Sequence, residues 1–251
     1  MQDKILEVAS LIRQSNYAVA LTGAGISTES GIPDFRGPDG LWKKYDPFKV
    51  ASIEAFMADP AGYWKRALER KLSTDAEPNK GHRALAELEK IGRLKVVITQ
   101  NVDGLHQKAG CKDVIELHGT VRTAHCLECG KRYPREEVVG WVEKGELPPR
   151  CKECGGIMKS DTVLFGESLP TDAISSAMEE ARKCDVMFVL GSSLVVYPAA
   201  SLPDIAIQNG AKIAILNMEA TEKDWIAEVV LHGKIGEILP KIVEEVKRKP
   251  R

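Results

Sequence analysis

Tyr17–Gly37, YAVALTGAGISTESGIPDFRG, is the stretch whose reading sets the fold. Tyr17–Thr22 is a short apolar run of the kind that forms a buried strand rather than a helix. It runs directly into Gly23-Ala24-Gly25. A strand ending in Gly-x-Gly presents unhindered backbone N–H groups where a phosphate can approach closely. The usual dinucleotide fingerprint asks for a third glycine three residues on, but Thr28 stands there and the next glycine is Gly31. Gly-x-Gly alone would be no more than a glycine-rich turn. The continuation sets it apart: Ser30–Pro33 reads as a loop, and Asp34-Phe35-Arg36-Gly37 places an acid, an aromatic and a guanidinium side by side.

Outward from this stretch, residues 3–15 put Ile5, Leu6, Ala9 and Ile12 on one face of an amphipathic helix leading into the first strand. Lys95–Thr99, Val114–Leu117, Val186–Leu190 and Lys212–Leu216 are further apolar runs of strand length. Helices are expected near Ser52–Met57 and over Pro60–Leu72, Asn79–Ile91, Thr171–Lys183, Pro198–Asn209 and Gly236–Lys247. Such alternation implies an α/β fold, a parallel sheet with helices on both faces. Leu41-Trp42 is expected in a loop over the glycine stretch, and the two helices between them and residue 78 form an insertion.

Ligands of such sheets bind beyond the carboxyl ends of the strands. There stand Gly23 to Gly25, Gln100, Asn101, Asp103, His118, Gly191, Ser192, Ser193 and Asn217. All but Ala24 are polar or glycine, which predicts one shared cleft. Each also has a plainer reading. Asn101 and Asp103 are favoured helix caps, Ser192 and Ser193 could open a helix, His118 could bond to backbone at a strand end, and Phe35 could be core.

The bulk numbers narrow the class. A chain of 251 residues that is 43 % hydrophobic suits one large α/β domain or one domain with a small insertion. Lys plus Arg count 35 against 36 Asp plus Glu, which gives no electrostatic case for nucleic acid. The basic end, Lys247–Arg251, is short enough to be a solvated tail. MQDKILEV at the start has charges and no apolar core of a signal peptide. No apolar run is long enough for a bilayer. With six cysteines, a reducing, cytoplasmic setting is expected rather than a disulfide framework.

Residues 122–159 change character, with many charges and few aliphatics. Cys126 and Cys129 form one C-x-x-C and Cys151 and Cys154 another, 21 residues apart. Two such knuckles suit one tetrahedral zinc ion; four thiolates leave no open position, so the metal is expected to be structural. A redox disulfide pair is the competing reading. Cys111 and Cys184 are unpaired and expected to be small buried hydrophobes.

Together the chain resembles the sirtuin family of NAD-dependent protein deacylases over nearly its whole length. The resemblance rests on Gly23–Gly37, TQNVDGLH (Thr99–His106), ELHG (Glu116–Gly119), the cysteine pairs, VLFGESLP (Val163–Pro170), GSSLVVYPAASL (Gly191–Leu202) and Asn217. It implies a Rossmann-like NAD-binding domain built from residues 1–41, 79–121 and 160–251. Residues 42–78 (helical) and 122–159 (zinc-binding) would make a small inserted domain. It implies that Gly23, Ala24, Gly25, Thr28, Phe35 and Arg36 line the pyrophosphate and nicotinamide-ribose side of NAD. Gln100, Asn101, Val102 and Asp103 would hold the nicotinamide end, with His118 as general base and Asn101 beside it. Gly191, Ser192, Ser193, Asn217, Met218, Lys234 and Ile235 would surround the adenosine. Val163, Phe165, Gly166, Glu167 and Val196 would take an acetylated protein or peptide as an extended strand. The implied reaction is deacetylation, giving nicotinamide, free lysine and O-acetyl-ADP-ribose. Mono-ADP-ribosyl transfer and removal of longer acyl chains are alternatives in the same pocket, and a zinc-ribbon nucleic-acid module is a third, poorly matched to the balanced charge.

Two departures stand out. Lys159-Ser160 replace the Arg-Pro that many members carry before FGE. The Tyr-x-x-Arg of members preferring acidic acyl chains falls on Ala67 and Arg70, with Tyr63 and Arg66 one turn earlier. Acetyl is therefore expected over succinyl.

Overall fold

A computed structural model describes residues 1–37, 40–69 and 76–248. Helix α1 (Gln2–Gln14) turns Ile5, Val8, Ala9 and Ile12 inward and leads to β1 (Ala18–Thr22), buried at every residue. A 3-10 segment over Ala24–Ser30 ends at Gly31, whose φ of 82° suits glycine. Helices α2 (Pro47–Val50), α3 (Ile53–Ala58) and α4 (Pro60–Glu69) follow. Asp46 caps α2 through Phe48 N, and Ser52 caps α3 through Ala55 N. Next come α5 (Lys80–Lys90), β2 (Val96–Thr99), α6 (Leu105–Ala109) and β3 (Val114–Glu116). The cysteine-rich part holds β4 (Gly119–Cys126), β5 (Arg132–Pro134), α7 (Arg135–Glu143) and β6 (Met158–Thr162). The chain closes with α8 (Thr171–Lys183), β7 (Val186–Leu190), α9 (Leu202–Gln208), β8 (Lys212–Asn217), β9 (Val229–His232) and α10 (Ile235–Lys247).

The large sheet has the order β3-β2-β1-β7-β8-β9, and every pairing in it is parallel. The chain works outward from β1 through β2 to β3, then returns to the other side of β1 and works outward again. That reversal puts a crevice at the carboxyl ends of β1 and β7. Alternate strand residues serve opposite layers. Ala18, Ala20, Phe188 and Leu190 pack with α1, α5 and α10; Val19, Leu21, Met187 and Val189 pack with α8 and α9. Burial on both faces is why the strands are apolar at every position.

The second sheet is antiparallel, in the order β5-β4-β6. Its core joins Trp64 of α4 to Val138, Trp141 and Val142 of α7 and to Met158, Cys126 and Cys151. The Trp64 indole N–H donates to Met158 O at 2.7 Å. One apolar cluster thus serves the helical insertion and the cysteine-rich segment together.

Some local expectations change. The helix expected over Pro198–Asn209 begins as a 3-10 turn at Ala199–Ser201 and becomes α only from Leu202, with a proline in its first turn. Strands β4 and β6 carry the small sheet to Gly119 and Thr162, beyond residues 122–159. Strand β9, four residues long at the sheet edge, is too short to show a period. Arg70 lies outside the described residues, as does Leu72. Among the described residues no helix is long and apolar enough to cross a membrane.

Candidate active site

The site begins where β1 and β7 end. Gly23 N donates to Leu190 O at 3.0 Å and Gly25 N to Gly191 O at 2.9 Å. A Cβ on Gly23 would stand 2.7 Å from Gly191 O, and one on Gly25 2.7 Å from Gly191 Cα. Gly191 itself has φ +64°. The two strand exits meet this closely only because they lack side chains.

Strand β2 delivers the next group. The Gln100 amide donates to Ser192 Oγ at 2.9 Å. Asn101 is buried, and its Nδ2 donates to Gly23 O and Ser27 Oγ, both at 3.1 Å. Ser27 donates to Asp103 Oδ2 at 2.7 Å. The other Asp103 oxygen accepts from Leu105 N, the first residue of α6, at 2.9 Å, while the N-cap position itself is Gly104. Nor is Asn101 a cap; its side chain reaches across to the glycine stretch.

His118 follows β3. Its Nδ1 lies 2.9 Å from Gln100 O. A carbonyl only accepts, so the proton sits on Nδ1 and Nε2 carries the lone pair. Burial pushes the ring's pKa below its ordinary 6.5, with the Gln100 bond acting in the opposite direction. The imidazole is therefore neutral, and able to accept a proton, at pH 7. His118 O in turn accepts from Val163 N at 2.8 Å, tying the histidine to the VLFGE segment. That segment is held from the far side as well. Phe165 N donates to Ala51 O and Phe165 O accepts from Ile53 N, both at 2.9 Å.

Over the glycine stretch lies an aromatic strip. Phe35 stacks on Trp42 at 4.8 Å, Trp42 meets Phe165 at 6.2 Å, and Phe165 meets Phe48 at 5.3 Å. Phe35 is 40 % exposed, so it is not core. Leu41-Trp42, expected in a loop, open a 3-10 turn over Leu41–Lys43, and Leu41 N and Trp42 N donate to Asp34 O and Phe35 O at the end of the glycine stretch. Burial lowers the pKa of Arg36, which stays a cation.

The remaining predicted residues are less tightly bound into the cluster. Thr28 donates to Gly25 O, Val102 O accepts from Val121 N, and Val196 O accepts from Ala200 N. At the far end, Asn217 donates to Glu219 O, Met218 is half exposed, Lys234 pairs with Glu237 at 3.4 Å, and Ile235 is buried. Ser193 is half-buried beyond β7, and Gly166 has φ +90°. The carboxylate of Glu167 turns to its own chain, to Leu164 N and Lys159.

A buried polar layer beneath the site escapes a reading by strand exits. Thr22 donates to Thr99 Oγ1 at 2.8 Å and meets His106 Nε2 at 2.9 Å. Ser27 meets His82 Nε2 at 3.4 Å. Each hydroxyl acts as donor in its other bond, so each ring donates from Nε2. Among the described residues, the Nδ1 atoms of both histidines are buried without a partner. Burial drops His82 to a pKa of about 4 and His106 to about 3. The available signal for His82 was its helical spacing with the buried Leu85 and Leu88.

In the small sheet, the Sγ atoms of Cys126, Cys129, Cys151 and Cys154 all lie within 4.8 Å of one another. The pairs Cys126–Cys154 and Cys129–Cys151 are 3.4 and 3.7 Å apart. Tetrahedral zinc at about 2.3 Å from each sulfur sets them about 3.8 Å apart. The amides of Glu128 and Gly156 point at Cys126 and Cys154 Sγ, both at 3.4 Å. None of the six cysteines is joined in a disulfide, and Cys111 and Cys184 are buried as expected.

With this geometry in view, comparison with known proteins is direct. The sequence pattern described as "Sir2 family" matches residues 23–198. The "NAD-dependent protein deacylase 2" of Archaeoglobus fulgidus is 53 % identical over 99 % of this chain and 98 % of its own. The "NAD-dependent protein deacetylase" of Thermodesulfovibrio yellowstonii is 51 % identical over 98 % of this chain and 96 % of its own. A structure solved for the mechanism and regulation of Sir2 enzymes superposes with a TM-score of 0.92, at 52 % identity over 98 % of this chain and 99 % of that one. A Sir2–p53 peptide–NAD+ complex gives 0.89, at 42 % identity over 95 % and 97 %. By matched pattern, by identity along nearly its full length and by superposition, this chain belongs to the Sir2 family.

Proposed function

We propose that the protein is an NAD-dependent protein-lysine deacetylase, passing the acetyl group of acetyl-lysine to ADP-ribose and releasing nicotinamide and free lysine. The observation that carries this reading is His118. It is a neutral imidazole with its Nδ1 proton committed to Gln100 O, and its backbone is bonded to the VLFGE segment. Relatives at half identity bear the matching activity in their names.

NAD supplies the ribose carbon and the hydroxyls on which the acetyl group ends. Breaking the nicotinamide–ribose bond builds positive charge on the sugar, and Asp103, oriented by Ser27, offers a fixed negative charge nearby. The acyl oxygen is the nucleophile, so no Ser or Cys is required. His118 Nε2 takes the proton of a ribose hydroxyl. Gln100, Asn101 and Val102 hold the nicotinamide end; Gly23, Ala24, Gly25, Thr28 and Arg36 line the pyrophosphate. Gly191, Ser192, Ser193, Asn217, Met218, Lys234 and Ile235 surround the adenosine. Phe35, stacked on Trp42, keeps water from the reactive sugar. The substrate runs as an extended strand along Val163, Phe165, Gly166 and Glu167 on one side and Val196 on the other. A propionylated and a myristoylated peptide complex among related structures make longer acyl groups the second set of substrates to try.

The four thiolates fit zinc, which would hold the two knuckles together and take no part in the reaction. Residues 1–41, 79–121 and 160–251 form the NAD-binding domain in this reading, and 42–78 with 122–159 the small one. Their shared cluster around Trp64 supports that division. Free thiols favour the cytoplasm, and balanced charge gives no support to direct nucleic-acid binding.

The test is one incubation of the purified protein with an acetyl-lysine peptide, with and without NAD, read by mass spectrometry. NAD-dependent loss of acetyl, with nicotinamide and O-acetyl-ADP-ribose appearing together, is expected. ADP-ribosylated peptide with the acetyl group retained would overturn the reading.

A further inference from the structure

Lys159 is a charged residue inside the protein, 2 % exposed, on β6. An ammonium has three N–H bonds, and three acceptors stand around this one. Thr162 O is at 2.8 Å, Ser160 O at 3.3 Å and Glu167 Oε2 at 2.9 Å. No N–H is left for solvent or substrate, and a buried charge so enclosed is held in one place by the cost of losing any partner. The same Glu167 oxygen accepts from Leu164 N at 2.8 Å. The ammonium and the carboxylate therefore brace the turn from Thr162 to Glu167 from inside.

That turn is the rim beside the proposed acyl-peptide strand. One end is bonded to the backbone of His118 through Val163 N, the other to residues 51–53 through Phe165. We infer that Lys159, acting through Glu167, is a positioning residue that sets the Val163–Gly166 rim at a fixed distance from His118 and so governs acyl-peptide binding while leaving NAD binding alone. This inference rests on the deacetylase reading for its substrate, but its mechanical part does not. Arginine would suit the same place, since its donors can also reach one carboxylate and neighbouring carbonyls. Methionine would fill the volume and bind none of them.

The experiment compares wild type with Lys159→Met, Lys159→Arg and Glu167→Gln in two measurements. Hydrogen exchange read on peptides covering residues 160–168 reports the brace without any substrate. Steady-state deacetylation gives KM for the acetyl-peptide, and calorimetry gives the Kd for NAD. Lys159→Met and Glu167→Gln should raise exchange at the rim at least tenfold and raise peptide KM on the order of tenfold, with NAD Kd within twofold of wild type. Lys159→Arg should restore most of both. Unchanged exchange and KM overturn the inference, as does an equal weakening of NAD and peptide that Arg does not rescue. If wild type fails to deacetylate, the functional reading falls, and the exchange data alone decide whether Lys159 braces the rim. If Lys159→Met does not fold, Glu167→Gln, whose side chain is one-quarter exposed, carries the exchange measurement, which needs no substrate and decides the brace by itself.

Discussion

At the scale of single residues, the sharpest consequence concerns the proton on His118. With Nδ1 bonded to Gln100 O and its pKa held below 6.5, the ring is a ready base at pH 6.5 and above and is lost by protonation only further to the acid side. The profile of kcat/KM should be flat above about pH 6.5 and fall on the acid side, with an inflection below histidine's ordinary pKa. His118→Ala should fold normally, lose about 10² or more in rate and lack that inflection; near-wild-type turnover would remove His118 from the reaction. Ser160 makes a contrasting case. It is 1 % exposed and its hydroxyl has no partner among the described residues. An unpaired buried hydroxyl costs about 1–3 kcal/mol. Ser160→Ala should therefore stabilise the protein by about 1 kcal/mol in urea titration, and destabilisation would show that the hydroxyl is satisfied in solution. The departure from Arg-Pro at residues 159–160 was plain in the sequence. The burial of both side chains was not, because neighbouring strand residues ordinarily point to opposite faces.

Between elements, helices α5 and α6 meet the glycine stretch through His82 and His106, whose rings contact edge to face at 5.0 Å. Both are neutral in the folded protein, with pKa values of about 4 and 3. In the unfolded chain each takes up a proton near pH 6.5. Their contribution is thus complete above pH 6.5 and is lost as pH falls toward 4 and 3. At pH 5 the difference is about 2 kcal/mol for each. The carboxylates whose pKa values the fold lowers, Glu87, Glu179 and Asp185, start from ordinary values of 4.5 or below, so they act in a lower window. Urea midpoints should therefore drop between pH 7 and pH 5, and a variant with both rings replaced by glutamine should show a flatter profile. An equal drop in that variant would assign the acid sensitivity elsewhere. These two histidines show where sequence reading stops. Strand exits could be found because chain order places them, whereas the layer under the site is assembled from residues 22, 27, 82, 99 and 106, which no local pattern links.

For the whole molecule, the zinc reading predicts that the two sheets respond differently to chelation. Structural zinc contributes on the order of 10 kcal/mol in small domains. Chelation, or Cys126→Ala, should lower the melting temperature, release one zinc per chain and raise hydrogen exchange across residues 119–162. Protection in β1 and β7 should persist. Unchanged metal content and melting in Cys126→Ala would sink the zinc assignment. The fold was legible at this scale because doubly buried strands must be apolar throughout and the cysteine pairs announce themselves by spacing. The small sheet was not, since β5 has only three residues and β4 alternates among partly buried positions. Its attachment has a further consequence. Gly119 and Thr162 stand opposite each other in the β4–β6 register, so the chain enters and leaves the cysteine-rich part at adjacent points, as a branch leaves a stem. Lengthening the branch at its tip changes only a closed loop, and doubling a loop costs about 0.6 kcal/mol. Added length at residues 144–149 should therefore be tolerated, while a single residue inserted directly after His118 or directly before Val163, at the stem, would shift the base against its substrate.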